Sequence, residues 1–290
     1  MKDTQINFRT KVLDNIRFFF RFPLMEHFLI KLKGATSVFA KLIPNHYQYK
    51  INSFRTFNRR GINFKADISE WLGYCAYFNV NNDPYDELFS LVKPGMVVID
   101  AGANMGFTAL NIANKLKNKG IVYAFEPDAH NYSVLQNNLL LNPGLQIKPF
   151  KLGLGNIKED VKLEVINESN RGENQITTNP STPKFSIVAI ITLDNFIAEQ
   201  QIEKVDLIKI DTEGFEMNIL KGATETITKN KPVLFIELDD NNLRKQLSSP
   251  EEVVALILSW GYKVISAQTG ESINNNSKLR GCHIDIVCTI

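Results

Sequence analysis

The apolar positions of this chain fall into two regimes. Up to about residue 90 the pattern is irregular, with helical apolar spacing first and then a stretch at 51–68 suited to short strands. From Met96 onward it becomes regular. An apolar, β-branched run at 96–99 ends in Asp100-Ala-Gly. The next segment carries Phe107, Leu110, Ala113 and Leu116 on one helical face, with Gly120 placed to close it. A second apolar run at 121–125 ends in Glu126-Pro127. Asp128 then opens a helix through Leu135 and Leu139, stopped by Asn142-Pro143-Gly144. A third strand is expected near 147–154.

The alternation returns at 206–210, a strand ending in Asp211, followed by one helix carrying Met217, Leu220, Ala223 and Ile227. A further strand, 232–236, ends in Glu237. Ser249-Pro250-Glu251-Glu252 reads as an N-cap, a proline at the first helical position and a capping-box glutamate. Gly261 is placed to stop that helix after Val253, Ile257 and Trp260. Strands at 263–267 and 283–289 finish the chain. Their short polar connection has no helical pattern, so they are expected to pair antiparallel. Between the two halves, hairpin-like segments within 161–191 flank a polar stretch, 168–184, expected to be a loop that carries substrate contacts.

Buried strands alternating with amphipathic helices predict an α/β fold, a mostly parallel sheet with helices on both faces and an antiparallel C-terminal strand. The expected division is a basic N-terminal extension over 1–85, helical with short strands, and an α/β domain over 86–290.

Charge sharpens this division. Residues 1–65 hold 13 Lys or Arg against 3 Asp or Glu, although the whole chain is only +2. Such a front end suits anionic lipid, a nucleic acid or an acidic partner, or is simply a solvated, partly helical extension. Its apolar stretches, 16–22 and 24–30, are interrupted by Arg17, Arg21, Glu26 and His27, so none reaches the roughly 18 residues of a spanning helix. The layout of a signal peptide is also missing. A helix lying at a membrane surface through Phe18, Phe19, Phe20 and Phe22 is the alternative, with Pro23 as its breaker. Cys75, Cys282 and Cys288 make neither a disulfide framework nor a zinc motif. The expected location is the cytoplasm, with peripheral membrane contact left open.

The candidate chemistry lies at the strand ends. Asp100-Ala-Gly102-Ala-Asn104-Met-Gly106 is a glycine-rich turn between a buried strand and a helix, suited to a nucleotide-like ligand. It is not the GxGxxG of dinucleotide folds, and Asp100 beside it would repel a pyrophosphate while suiting the ammonium of a methionine moiety. Glu126 is placed to accept two ribose hydroxyls. Lys209-Ile-Asp211-Thr-Glu213-Gly214-Phe-Glu216 crowds three carboxylates after the fourth strand. Asp211 and Glu213 are candidates for a general base, while Glu216 suits the first turn of a helix. Two of these acids would also suit a divalent cation, but no metal is assigned. Lys209, in a buried strand, is expected to pair with one of them. His283, Glu237, Trp71 and Tyr74 are weaker candidates, each with an ordinary packing or pairing role as the alternative.

The segments VVIDAGANMGFTAL (97–110), VYAFEPDAHNYSVLQNNL (122–139), ITLDNFI (191–197) and DLIKIDTEGFEMNILKGA (206–223) resemble the FkbM-type methyltransferases. The resemblance covers roughly residues 85–240. It implies a Rossmann-like class I fold and methyl transfer from S-adenosylmethionine to a hydroxyl of a sugar, glycan or related secondary metabolite. Carried onto matching positions, Asp100, Gly102, Asn104, Gly106 and Glu126 would bind the cofactor, and Asp211 and Glu213 would border the transfer site. It assigns nothing to residues 1–85 or to 168–184. Three alternatives remain at this point, one of them methyl transfer to protein or nucleic acid, for which the NPPY-like tetrad of adenine-N6 enzymes is absent. An NAD-dependent nucleotide-sugar oxidoreductase shares the fold, but the chain has no Tyr-x-x-x-Lys pair. A catalytically inactive scaffold could bind glycans or membranes. No nucleic-acid partner is expected, and no oligomeric state is assigned.

Overall fold

The computed structural model describes residues 8–32, 37–80, 85–167, 170–177, 179 and 181–290. Residues 1–7 of the basic front end, and 168, 169, 178 and 180 of the expected loop, lie outside them.

The chain opens with helices α1 (Phe8–Phe18), α2 (Pro23–Leu32) and α3 (Ser37–Leu42). Pro23 separates the first two, as its sequence position implies, because its fixed φ suits a first helical turn. A hairpin of β1 (Phe54–Arg59) and β2 (Ile62–Asp67) follows, turned at Arg60-Gly61 with both residues at positive φ. Then come α4 (Trp71–Phe78) and α5 (Asp86–Leu91).

The central α/β segment runs β3 (Val97–Ala101), α6 (Phe107–Leu116), β4 (Ile121–Phe125), α7 (Ala129–Leu140) and β5 (Ile147–Phe150). Asp128 caps α7, its Oδ1 accepting the amides of His130 and Asn131. The single strand expected over 147–154 divides. Pro149 sits in β5, which is the edge of the main sheet, where a missing N–H is tolerated. The chain then leaves for β6 (Gly153–Leu154), β7 (Glu159–Glu164), β8 (Gln175–Thr177) and β9 (Phe185–Ile191), which make a second sheet in the order β6-β9-β7-β8. The expected hairpins are present, but the stretch read as a loop contains β8 and a turn of 3-10 helix at Arg171–Glu173.

After α8 (Leu193–Glu199) and β10 (Leu207–Ile210), the one helix expected through Ile227 is two, α9 (Glu216–Lys221) and α10 (Thr224–Asn230). Gly222 explains the break. A Cβ there would lie 1.9 Å from the Gly155 carbonyl, and its own carbonyl accepts the Asp194 amide. The chain ends with β11 (Val233–Asp239), α11 (Asp240–Lys245), α12 (Pro250–Ser259), β12 (Lys263–Ser266), β13 (Ser272–Ile273) and β14 (His283–Thr289). Ser249 caps α12 as expected, and Gly261 follows it at positive φ.

The main sheet has the order β13-β12-β14-β11-β10-β3-β4-β5. Neighbours from β11 to β5 are parallel, and β14 runs antiparallel to both β11 and β12. This is the mostly parallel sheet with an antiparallel C-terminal strand that the class I methyltransferase fold requires. The chain reverses its direction of growth between β3 and β10, so the crevice beyond their carboxyl ends is where such sheets bind ligands.

Helix α6 buries more than the single face its periodicity predicts. Thr108, Ala109, Asn111 and Ile112 are buried along with Phe107, Leu110, Ala113 and Leu116. The reason is the N-terminal hairpin, whose Phe64 ring packs 5.5 Å from that of Phe107, so the helix lies between sheet and hairpin. Gly120 answers to packing as well: the left-handed Lys117 caps the helix, while a Cβ on Gly120 would meet the Met96 carbonyl at 2.2 Å.

A buried ion pair joins the first helices to the hairpin. Arg55 grips both carboxylate oxygens of fully buried Glu26 at 2.7 and 2.8 Å, and the Tyr77 hydroxyl donates to the same group. Arg55→Met leaves that carboxylate without its counter-charge, at a cost of about 3–5 kcal/mol. Urea denaturation measures this, and a loss below about 1 kcal/mol would count against the pair as an anchor.

Candidate active site

The carboxyl ends of β3, β4 and β10 open into a cavity of about 670 Å³, walled also by α4, the 170–176 segment and the residues that follow β11. Its floor is set by one buried cation. Lys209 stands opposite Asp100 in the parallel register of β10 and β3. Its ammonium lies 3.2 Å from Asp100 and 3.4 Å from Asp211. It also donates to the carbonyls of Ala101 and Gly102 at 3.3 and 2.8 Å. Burial disfavours this charge, but Asp100 and then Asp211 outweigh it and raise the ammonium pKa above its ordinary value.

Asp100 therefore sits under the floor. It is fully buried, held by Lys209 and by the Thr108 hydroxyl at 2.6 Å, and it is absent from the cavity wall. The sequence placed Lys209 beside an acid after its own strand; its pairing with Asp100 across the sheet is the addition.

Gly102 and Gly106 have positive φ, and both meet the protein itself. A Cβ on Gly102 would lie 1.9 Å from the Asp211 carbonyl, and one on Gly106 would lie 2.5 Å from Leu135. The glycines let the turn close onto β10 and α7. Asn104, also at positive φ, donates its amide to Glu126 Oε2 at 2.8 Å, and Glu126 Oε1 accepts the Asp128 amide at 2.8 Å. Glu126 reaches the cavity from the end of β4. Burial pushes its carboxyl up to about 7, against those two amides.

Asp211 and Glu213 come together with Glu237, which lies within β11, a strand that runs on to Asp239 rather than ending at 236 as expected. One oxygen from each lies within 4.8 Å of the others, a spacing that would accept a cation. Tyr85 donates to Asp211 Oδ2 at 3.1 Å, and Asn242 donates to Glu213 Oε2 at 2.7 Å. Glu213 is held at φ +56, followed by Gly214 at φ +105, so the loop after β10 turns through two left-handed residues. Burial, then Glu237 and Asp211, push the Glu213 carboxyl up to about 9. Glu237 and Asp285 rise to about 7, burial first and Asp211 next. Glu216 points into the protein and braces the loop, accepting from the Thr212 and Gly214 amides and the Thr212 hydroxyl.

Three groups were not singled out as site residues in the sequence: Tyr85, Asn242 and the cover formed by Arg171–Asn174. Arg171 and Asn174 reach back to Asp128 at the start of α7, at 3.3 and 3.2 Å, drawing their segment across the cavity. The polar composition of 168–184 was the available signal for this cover. Of the weaker candidates, Trp71 lines the cavity, Tyr74 is buried against Phe78, and Glu237 pairs with His283.

A sheet of this order, with a nucleoside-sized cavity at its switch point, defines a class I methyltransferase-type domain. The family model for the methyltransferase FkbM domain matches residues 100–264, and the chain belongs to that family. It is similar to the hexuronic acid methyltransferase AglP of Haloferax volcanii, 26% identical over 174 residues, 55% of this chain and 69% of that protein. It is also similar to the 2-O-methyltransferase NoeI of Sinorhizobium fredii, 25% identical over 167 residues, 53% of this chain and 67% of that one. Among solved structures, the methyltransferase FkbM of Methylobacillus flagellatus superimposes with a TM-score of 0.48 at 22% identity. That alignment covers 73% of this chain and 49% of the other, so the chain spans about half of that structure's length.

His283 lies between Glu237 and Asp239, each 3.1 Å away. The Glu237 hydrogen bond, against partial burial, raises its pKa to about 9, which favours the cationic ring at neutral pH and a pairing role over that of a base. Its contribution to stability is complete below its unfolded value of about 6.5 and is lost as the pH rises through about 9. An NMR titration of the ring should give a midpoint near 9; one near 6.5 would show that the pairing does not hold in solution.

Proposed function

We propose that the cavity binds S-adenosylmethionine and that the enzyme transfers its methyl group to a hydroxyl of a sugar, glycan or related secondary metabolite. The observation that carries this reading is the ring of carboxylates, Glu126, Asp211, Glu213 and Glu237, around one cavity at the strand ends. Among them Glu126 suits a ribose, and Asp211, beside the turn, suits a cationic sulfur better than a pyrophosphate. The kinship with a hexuronic acid methyltransferase and a 2-O-methyltransferase supports an oxygen acceptor on a sugar. In this reading residues 86–290 are the catalytic domain and residues 1–85 its N-terminal cover.

When bound, S-adenosylmethionine supplies a methyl group on a positively charged sulfur. The chain's own residues bind and orient. Each Glu126 oxygen accepts one amide and keeps capacity for one more donor, so the group can hold both ribose hydroxyls. Gly102, Asn104 and Gly106 shape the turn that carries the cofactor, and Asp100 acts through Lys209 to hold that turn against β10. Asp211 Oδ2 is engaged by Tyr85 and Lys209, and Oδ1 takes the acceptor's proton. Glu213, protonated at neutral pH, donates a hydrogen bond that orients the acceptor. Alignment of the acceptor oxygen can supply about 7–11 kcal/mol, and proton removal a further factor of about 10²–10⁴.

Substitutions separate the two acids. Asp211→Asn should cut turnover about 10²-fold or more with cofactor affinity kept within a few-fold, whereas Glu213→Gln exchanges one neutral group for another and stays within about tenfold. Both are read by S-adenosylhomocysteine release with uronic acid and neutral glycoside acceptors. Unchanged turnover in Asp211→Asn would remove its role.

A further inference from the structure

The first two helices carry a surface that the reaction does not use. Ile16, Phe18, Phe19, Phe22, Leu24 and Phe28 are all exposed, with Phe19 72%, Phe22 65% and Leu24 86% accessible. A folded surface rarely gathers large apolar side chains so densely unless something covers them. Charge indicates what that is. Between residues 8 and 50 the sequence has two acids, Asp14 and Glu26, and both are turned inward and neutralised. Glu26 is locked onto Arg55, and Asp14 is held by Arg17 at 3.0 Å and by Tyr47 and Asn45.

Lys31, Lys41 and Lys50 face outward, and the Arg21 guanidinium lies 3.7 Å over the Phe18 ring. The outer face of this layer is therefore apolar and cationic. Among the described residues no helix is long and apolar enough to cross a membrane, so contact with lipid would be interfacial. The layer also reaches the active site, since His46 packs edge-on, 5.4 Å from Trp71 on the cavity wall.

We propose that the α1–α2 surface docks peripherally on an anionic lipid bilayer. Phe19, Phe22 and Leu24 enter the boundary between headgroups and acyl chains, and Lys31 and its neighbours meet lipid phosphates. This docking is independent of which acceptor is methylated.

Sedimentation of the full chain with phosphatidylcholine vesicles, with and without one-third phosphatidylglycerol, tests this. The bound fraction should rise about tenfold with the anionic lipid and fall back in high salt. Phe19→Ser with Leu24→Ser, both at exposed positions, should abolish binding without changing the melting temperature, and Lys31→Glu alone should weaken it. Absence of binding to anionic vesicles, or binding that survives the double substitution, overturns the proposal. So does light scattering that finds a dimer or a complex with another protein dispersed by the same substitutions, because the face would then belong to a protein contact.

Discussion

One buried ammonium organises the working end of this molecule. Lys209 stands in a strand whose every residue is buried, and a charge there is tolerable only if it is neutralised and its protons are accepted. Two carboxylates and two carbonyls meet that demand, and they come from the ends of both strands at the switch point. The turn after β3 is therefore drawn onto the turn after β10, so closely that only glycine fits at position 102. The floor of the cavity is a consequence of satisfying this cation.

The same economy of charge explains why the remaining acids are unusual. Lys209 neutralises Asp100 and contributes to Asp211, but Glu213, Glu237 and Asp285 crowd the rim, where His283 pairs with Glu237. Burial first, and then repulsion among neighbouring acids, raises their pKa values. A cationic sulfonium would suit such acids better than the pyrophosphate of a dinucleotide. The absence of GxGxxG pointed away from NAD, and the placement of the acids gives that preference an electrostatic basis. Asp100, although it borders the glycine turn, is engaged by Lys209 and Thr108 beneath the floor.

Local rules made the alternation of strand and helix, the caps at Asp128 and Ser249, the antiparallel finish and the acids at the strand ends legible in the sequence. Each depends on residues a few positions apart. What escaped depends on contacts between distant segments. The helix expected through Ile227 breaks because Gly222 meets Gly155, and α6 is buried nearly all round because Phe64 arrives from the hairpin. Periodicity reports that a face is covered without naming the cover. Likewise the composition of 168–184 marked a loop, but its pull across the cavity needs Asp128 as the distant partner of Arg171 and Asn174. Asp100 was read as a ligand contact because nothing local reveals that Lys209 stands opposite it in the sheet.

The central claim is that carboxylates at the strand ends make this cavity selective for a cationic nucleoside. Calorimetric titration of the full chain with S-adenosylmethionine, S-adenosylhomocysteine and NAD tests it most directly. The account predicts micromolar binding of both sulfur compounds, tighter for the sulfonium, and none for NAD. Binding of NAD, or of none of the three, would contradict it.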